Sequence, residues 1–165
     1  MKKTLIMLVV LTLVFAGCGV SEKIAETATE KAIESATGAD VDVDTNTVNI
    51  TTQEGDKISV GEKLSLPSDF PSDVPVYDDK TILAASTTAE NQYALTMTST
   101  DSYSEIDEFY QTELESDGWT IESHNTMAIS GNTSIFVAKK GDRTLSVGIY
   151  AYTENDEISI VLNVE

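Results

Sequence analysis

Residues 102–119 read SYSEIDEFYQTELESDGW, and the fold class turns on how they are read. Ser102 with Glu105 three positions later is a capping-box pattern, in which each end of the pair satisfies a backbone N–H at a helix start. Ile106, Phe109, Tyr110 and Leu114 then recur at helical spacing, with Glu and Asp on the other face. Gly118 supplies a stop and Trp119 opens the next segment. Outside this stretch the period is two. Upstream, Thr81–Thr88 and Gln92–Thr100 are strand candidates joined near Glu90-Asn91, the second placing Tyr93, Leu95 and Met97 on one face. Downstream, Trp119 and Ile121 alternate, and Met127 and Ile129 continue past a bend expected near His124-Asn125. Gly131-Asn132 marks a turn, Ile135–Lys139 a strand, and Gly141-Asp142 a tight hairpin. Thr144–Tyr152 aligns Leu145, Val147 and Ile149, and the last strand aligns Ile158, Ile160, Leu162 and Val164. One helix among about six antiparallel strands predicts an α+β fold. The expected form is a two-layer sandwich, preceded by an N-terminal helix and a short β-hairpin, with one sheet face covered and the other largely wet.

Before this module, residues 66–79 (LPSDFPSDVPVYDD) hold all three prolines of the chain. Each proline fixes its own φ and biases its predecessor away from helix, so the stretch is extended or turned. Phe70, Val74, Val76 and Tyr77 give it enough apolar surface to lie across a domain as an ordered lead-in. Further upstream, Asp40–Ile50 alternates Val41, Val43, Val48 and Ile50 with polar residues around Thr45-Asn46-Thr47, the pattern of a hairpin. Lys57–Val60 is a third short strand. Ser21–Thr37, rich in Ala, Glu and Lys, carries a thin stripe of Ile24, Ala28, Ala32 and Ala36 and is closed by Gly38, which reads as a helix. The expected organisation is therefore residues 1–17, 18–38, 39–65 and 66–165.

The N-terminus has a different grammar. Lys2 and Lys3 precede a mostly apolar run from Thr4 to Phe15, then Ala16, Gly17 and Cys18, the only cysteine. A positive start and an apolar run short of the ~20 residues a spanning helix needs describe a secretory signal. Phe15-Ala16-Gly17-Cys18 resembles the lipobox of bacterial lipoproteins, with Phe15 where Leu is usual. The resemblance implies that residues 1–17 are a signal peptide, that signal peptidase II cuts before Cys18, and that the Cys18 sulfur carries a diacylglyceryl group. One acyl chain holds a protein to a bilayer only marginally, whereas two make a stable anchor. The pairing of DFPSDVPVYDD (69–79) with FYQTELESDGW (109–119) also resembles a pattern found in small uncharacterised bacterial lipoproteins, and that resemblance carries no activity with it.

The 165-residue chain has a formal charge of −18. Cleavage before Cys18 removes Lys2 and Lys3, leaving 8 basic against 28 acidic residues and a charge of −20. Such a surface repels phosphate backbones, so nucleic acid is excluded as a partner, while cations and basic partners are drawn in. Catalytic constellations are absent. His124 is the only histidine, no G-x-S-x-G elbow occurs, and one histidine with a lipidated cysteine cannot make a zinc site. Asp40, Asp42 and Asp44 alternate, but neither register places Gly sixth and Glu twelfth as a calcium loop requires. Tyr150 and Tyr152, with Tyr103 nearby, are candidates for a sugar- or peptide-binding face. The expectation is a non-enzymatic lipoprotein without cofactor or metal. Its membrane attachment runs through Cys18 on the extracytoplasmic face of the cell membrane, and its acidic domain meets a protein, peptide or glycan. The alternatives are a small envelope hydrolase using carboxylates, and cation binding by Asp40–Asp44 or by the turn at residues 153–157.

Overall fold

The computed structural model describes residues 31, 34–35, 38–44, 46–128, 131–152 and 157–165. Nine strands form one antiparallel sheet: β1 (Asp40–Asp44), β2 (Thr47–Thr51), β3 (Lys57–Gly61), β4 (Thr81–Thr87), β5 (Tyr93–Ser99), β6 (Thr120–Ala128), β7 (Gly131–Lys140), β8 (Arg143–Tyr152) and β9 (Ile158–Val164). Their spatial order is β1-β2-β3-β4-β5-β9-β8-β7-β6. The first five make a meander. Helix α1 (Tyr103–Ser116) then carries the chain across to the far edge, and β6–β9 meander back until β9 pairs with β5.

This corrects the expected six-strand sandwich preceded by a hairpin. β3 pairs antiparallel with β4, Ile58 opposite Ser86 and Val60 opposite Ala84, so the N-terminal strands extend the main sheet. The proline-rich lead-in disguises that pairing, because it separates β3 from β4 in sequence with a segment that packs over the core. Signal, lipobox and Cys18 lie outside the described residues. So does the helix expected over 21–37, apart from positions 31, 34 and 35.

α1 forms where the capping box directs it. Ser102 Oγ accepts from the Glu105 N–H, and Glu105 Oε2 accepts from the Ser102 N–H at 3.1 Å and its hydroxyl at 2.7 Å. These bonds favour the ionised carboxylate and lower the pKa of Glu105. Ile106, Tyr110 and Leu114 are fully buried against the sheet. They belong to one core with Leu95 and Met97 of β5, Ile160 and Leu162 of β9, Leu145, Val147 and Ile149 of β8, and Phe136 of β7. Burying each such side chain contributes roughly 1.5–3 kcal/mol before entropy is charged. Val74 and Tyr77 from the lead-in complete this core. Ala39, Val41 and Ile50 form a second, smaller cluster at the β1–β2 end.

Two β-bulges adjust the sheet, one at Leu83 in β4 and one in β6. Glu122 is the extra residue between the pairs Ile121–Ala138 and Ser123–Val137. A bulge reverses the alternation beyond it. His124 therefore lies opposite Phe136 on the core side, and Met127 turns outward opposite Thr133, about half exposed. The bend expected at His124-Asn125 is thus a bulge two residues earlier inside a continuous strand.

A charged clamp fixes the lead-in. Both carboxylate oxygens of Asp73 bind the Arg143 guanidinium, and Lys140 Nζ reaches Asp73 Oδ2 at 2.7 Å. Trp119 Nε1–H donates to the Asp73 carbonyl at 2.6 Å, and Arg143 lies over the indole at 5.1 Å. Lys140 also donates to the Asp117 carbonyl at the C-terminal end of α1, at 2.7 Å. The Arg143 and Lys140 hydrogen bonds hold the Asp73 carboxyl far below the usual range.

Candidate functional site

Where α1 begins, its first turns face the far ends of β6 and β7. A cleft of about 380 Å³ opens there, lined by Tyr103, Ser104 and Asp107 of α1, Thr126, Met127 and Ala128 of β6, and Asn132 of β7. A second cleft of about 370 Å³ shares Ala128 and Asn132 and is completed by Gly131, Ala151 and Tyr152. Gly131 is required at that rim. Its φ is +133°, and a Cβ there would come within 1.9 Å of the Ala151 carbonyl oxygen.

The wall of the first cleft is held by His124. Its ring stacks on Phe136 with centroids 3.9 Å apart, and Nε2 lies 2.7 Å from Ser134 Oγ and 3.1 Å from Asp107 Oδ1. A carboxylate at that distance places the proton on Nε2, so one N–H is shared between the hydroxyl and the carboxylate. The sharing ties α1 to β6 and β7. It also excludes nucleophilic catalysis of the serine–histidine–aspartate kind. There, serine and carboxylate occupy opposite ring nitrogens, whereas here both meet the same one. Ser134 is moreover fully buried, out of a substrate's reach.

The expected aromatic face comes together only in part. Tyr150 and Tyr152 point to the sheet face opposite the core, as their alternation with Leu145, Val147 and Ile149 requires. The Tyr150 side chain covers Gly148, where a Cβ would meet its hydroxyl and ring carbons at 2.6–2.9 Å. Tyr103 belongs to α1 and packs against the core on the other side. Tyr152 and Tyr103 therefore border neighbouring clefts at the end of the sheet and do not form one platform. Asp40, Asp42 and Asp44 are exposed along β1, and among the described residues no three acidic, histidine or cysteine side chains are grouped to hold a metal. Of the acidic turn, only Glu157 is described.

Asp107, Ser134 and Asn132 are site residues that the sequence left unmarked. Tyr103 and Asp107 stand four residues apart, on one helix face, and that much was readable. Their meeting with His124 and Asn132 depends on register and on the Glu122 bulge.

A family model described as START domain-like matches residues 79–157, the stretch from the end of the lead-in through β4, β5, α1, β6, β7 and β8. Both clefts lie within it. No curated protein and no solved structure matches the chain.

Proposed function

We propose that this chain is a lipid-anchored, extracytoplasmic lipoprotein that holds a small, non-enzymatic ligand-binding domain at the cell membrane through Cys18. The match of residues 79–157 to a START domain-like model carries the binding half of the reading, since such domains are in general binding domains. The paired clefts at the end of the sheet offer a place for a ligand, in the lower part of the size range of small-molecule sites. The anchor half is supported by Lys2-Lys3, the short apolar run and the lipobox-like Phe15-Ala16-Gly17-Cys18. The arrangement at His124, with serine and aspartate on one nitrogen, does not support a serine–histidine–aspartate hydrolase.

The test is intact-mass spectrometry of the protein extracted from membranes of its native host, alongside Cys18→Ser. The expected product begins at Cys18 and carries a diacylglyceryl mass, while the variant stays unprocessed and unlipidated. A wild-type chain that retains residues 1–17, or normal maturation of the variant, refutes the anchor. Native mass spectrometry of the same material tests the binding half through a small molecule retained by the folded domain.

A further inference from the structure

The cleft at the start of α1 has a one-sided chemistry. Among the described residues its lining contains no lysine, arginine or histidine, and Asp107 is the charged group there. Tyr103, Ser104, Thr126 and Asn132 each add an oxygen able to accept a hydrogen bond. Asp107 Oδ1 is oriented by the His124 N–H at 3.1 Å, and Oδ2 accepts from no described residue. The carboxylate is about one-fifth exposed, enough to be reached yet partly shielded from water. Other ligand classes fit poorly. An anion would meet Asp107 and the field of a chain carrying −18. A divalent metal would lack ligands, since no group of three exists among the described residues. An acyl chain would need an apolar channel, and the space beneath α1 is filled by Tyr110, Phe136, Met97 and Leu114, all fully buried.

We propose that this cleft binds the alkylammonium group of a small organic amine. Asp107 is its counter-ion, Tyr103 its aromatic wall, and Ser104, Thr126 and Asn132 accept its N–H donors. An ammonium brings donors only, matching a lining of acceptors, and it is attracted to a tyrosine face. The long-range field of the acidic chain raises the local concentration of such cations. The proposal rests on the reading of the domain as a ligand-binding module and names the ligand class for it.

The experiment is an NMR titration of the full mature chain in detergent micelles at low salt, with cadaverine and, separately, Nα-acetyl-lysine amide. Saturable one-site shifts are expected at Tyr103, Ser104, Asp107 and Asn132. Asp107→Asn should weaken binding about tenfold or more, the cost of losing one close charge pair. Asp42→Asn removes the same charge from the distant edge strand and should leave affinity within about twofold. Because Asp107→Asn also loosens His124, Tyr103→Leu is the second variant. It should weaken binding by about threefold while melting as the wild type does. Tighter binding of cadaverine identifies a free amine as the source, and tighter binding of the lysine derivative identifies a peptide. Non-saturating shifts spread over the acidic surface, or equal losses in Asp107→Asn and Asp42→Asn, would overturn the proposal. If neither amine shifts the cleft but a neutral sugar or a fatty acid does, the amine assignment fails and the binding module stands.

Discussion

Asp73→Asn is the most informative test of how the lead-in is held. The substitution keeps the shape and some hydrogen bonds at residue 73 but removes the charge that faces Arg143 and Lys140. All three side chains are about one-third exposed, so the interaction is partly screened by water. An isolated pair of that exposure contributes about 0.2–1 kcal/mol, and a bidentate guanidinium sharing its carboxylate with a lysine lies above that range. A loss of about 1–2 kcal/mol is expected at neutral pH, or roughly 3–6 °C in Tm for a chain of this size. Reduced self-repulsion in a chain of charge −18 offsets little, because charges more than ~10 Å apart are screened at 0.1 M salt.

The pH dependence has a definite sign. Arg143 and Lys140 hold the folded-state pKa of Asp73 far below its unfolded value of about 3.9. A depressed carboxylate stabilises the fold fully above the unfolded pKa, and the contribution is lost as pH falls toward the folded one. Urea denaturation of both proteins from pH 7 down to pH 2 should show a gap that is constant above about pH 5 and narrows below about pH 4. A gap under ~0.3 kcal/mol at pH 7, or one that does not change with acid, would refute the clamp as a source of stability.

Three further outcomes follow from particular contacts. Gly131→Ala should destabilise the fold by more than about 2 kcal/mol by urea denaturation, because its Cβ would overlap the Ala151 carbonyl oxygen and backbone there cannot yield cheaply. Gly148→Ala meets only a tyrosine ring, which can swing into solvent, and should cost less. The Tyr77 hydroxyl donates to Asp101 Oδ2 at 2.6 Å, and that bond with burial pushes its pKa up to about 12. Ultraviolet titration should find a phenol ionising near that value that shifts down in Asp101→Asn. With the folded pKa raised, stability is intact below the unfolded value of about 10 and falls as pH rises through 12. Ser102→Ala removes one half of the capping box and should lower stability by about 1 kcal/mol in thermal melts, with Glu105 moving back toward an ordinary carboxylate.

Local signals in the chain were legible because they are written in neighbouring residues. The Ser102–Glu105 pair, the helical spacing of Ile106, Tyr110 and Leu114, and the alternation in β5, β8 and β9 need only side-chain size and polarity to be read. The grammar of residues 1–18 is local in the same sense, with charge, apolar run, small residues and cysteine in fixed order. What the sequence by itself determined was therefore helix α1, the strand-rich composition around it, the acidic surface and an expected lipid anchor.

The tertiary structure decided what depends on partners remote in the chain. β3 joins β4 across the proline segment, which makes one nine-stranded sheet where alternation alone suggested a hairpin and a separate module. Asp73 and Arg143 find each other across 70 positions, a pairing that no local pattern announces. The Glu122 bulge turns His124 inward onto Phe136, and only then do Asp107, Ser134 and Asn132 surround one corner of the sheet. Periodicity specifies which residues share a face of their own element. Register and bulges decide which element that face meets, because one added residue reverses every side chain that follows.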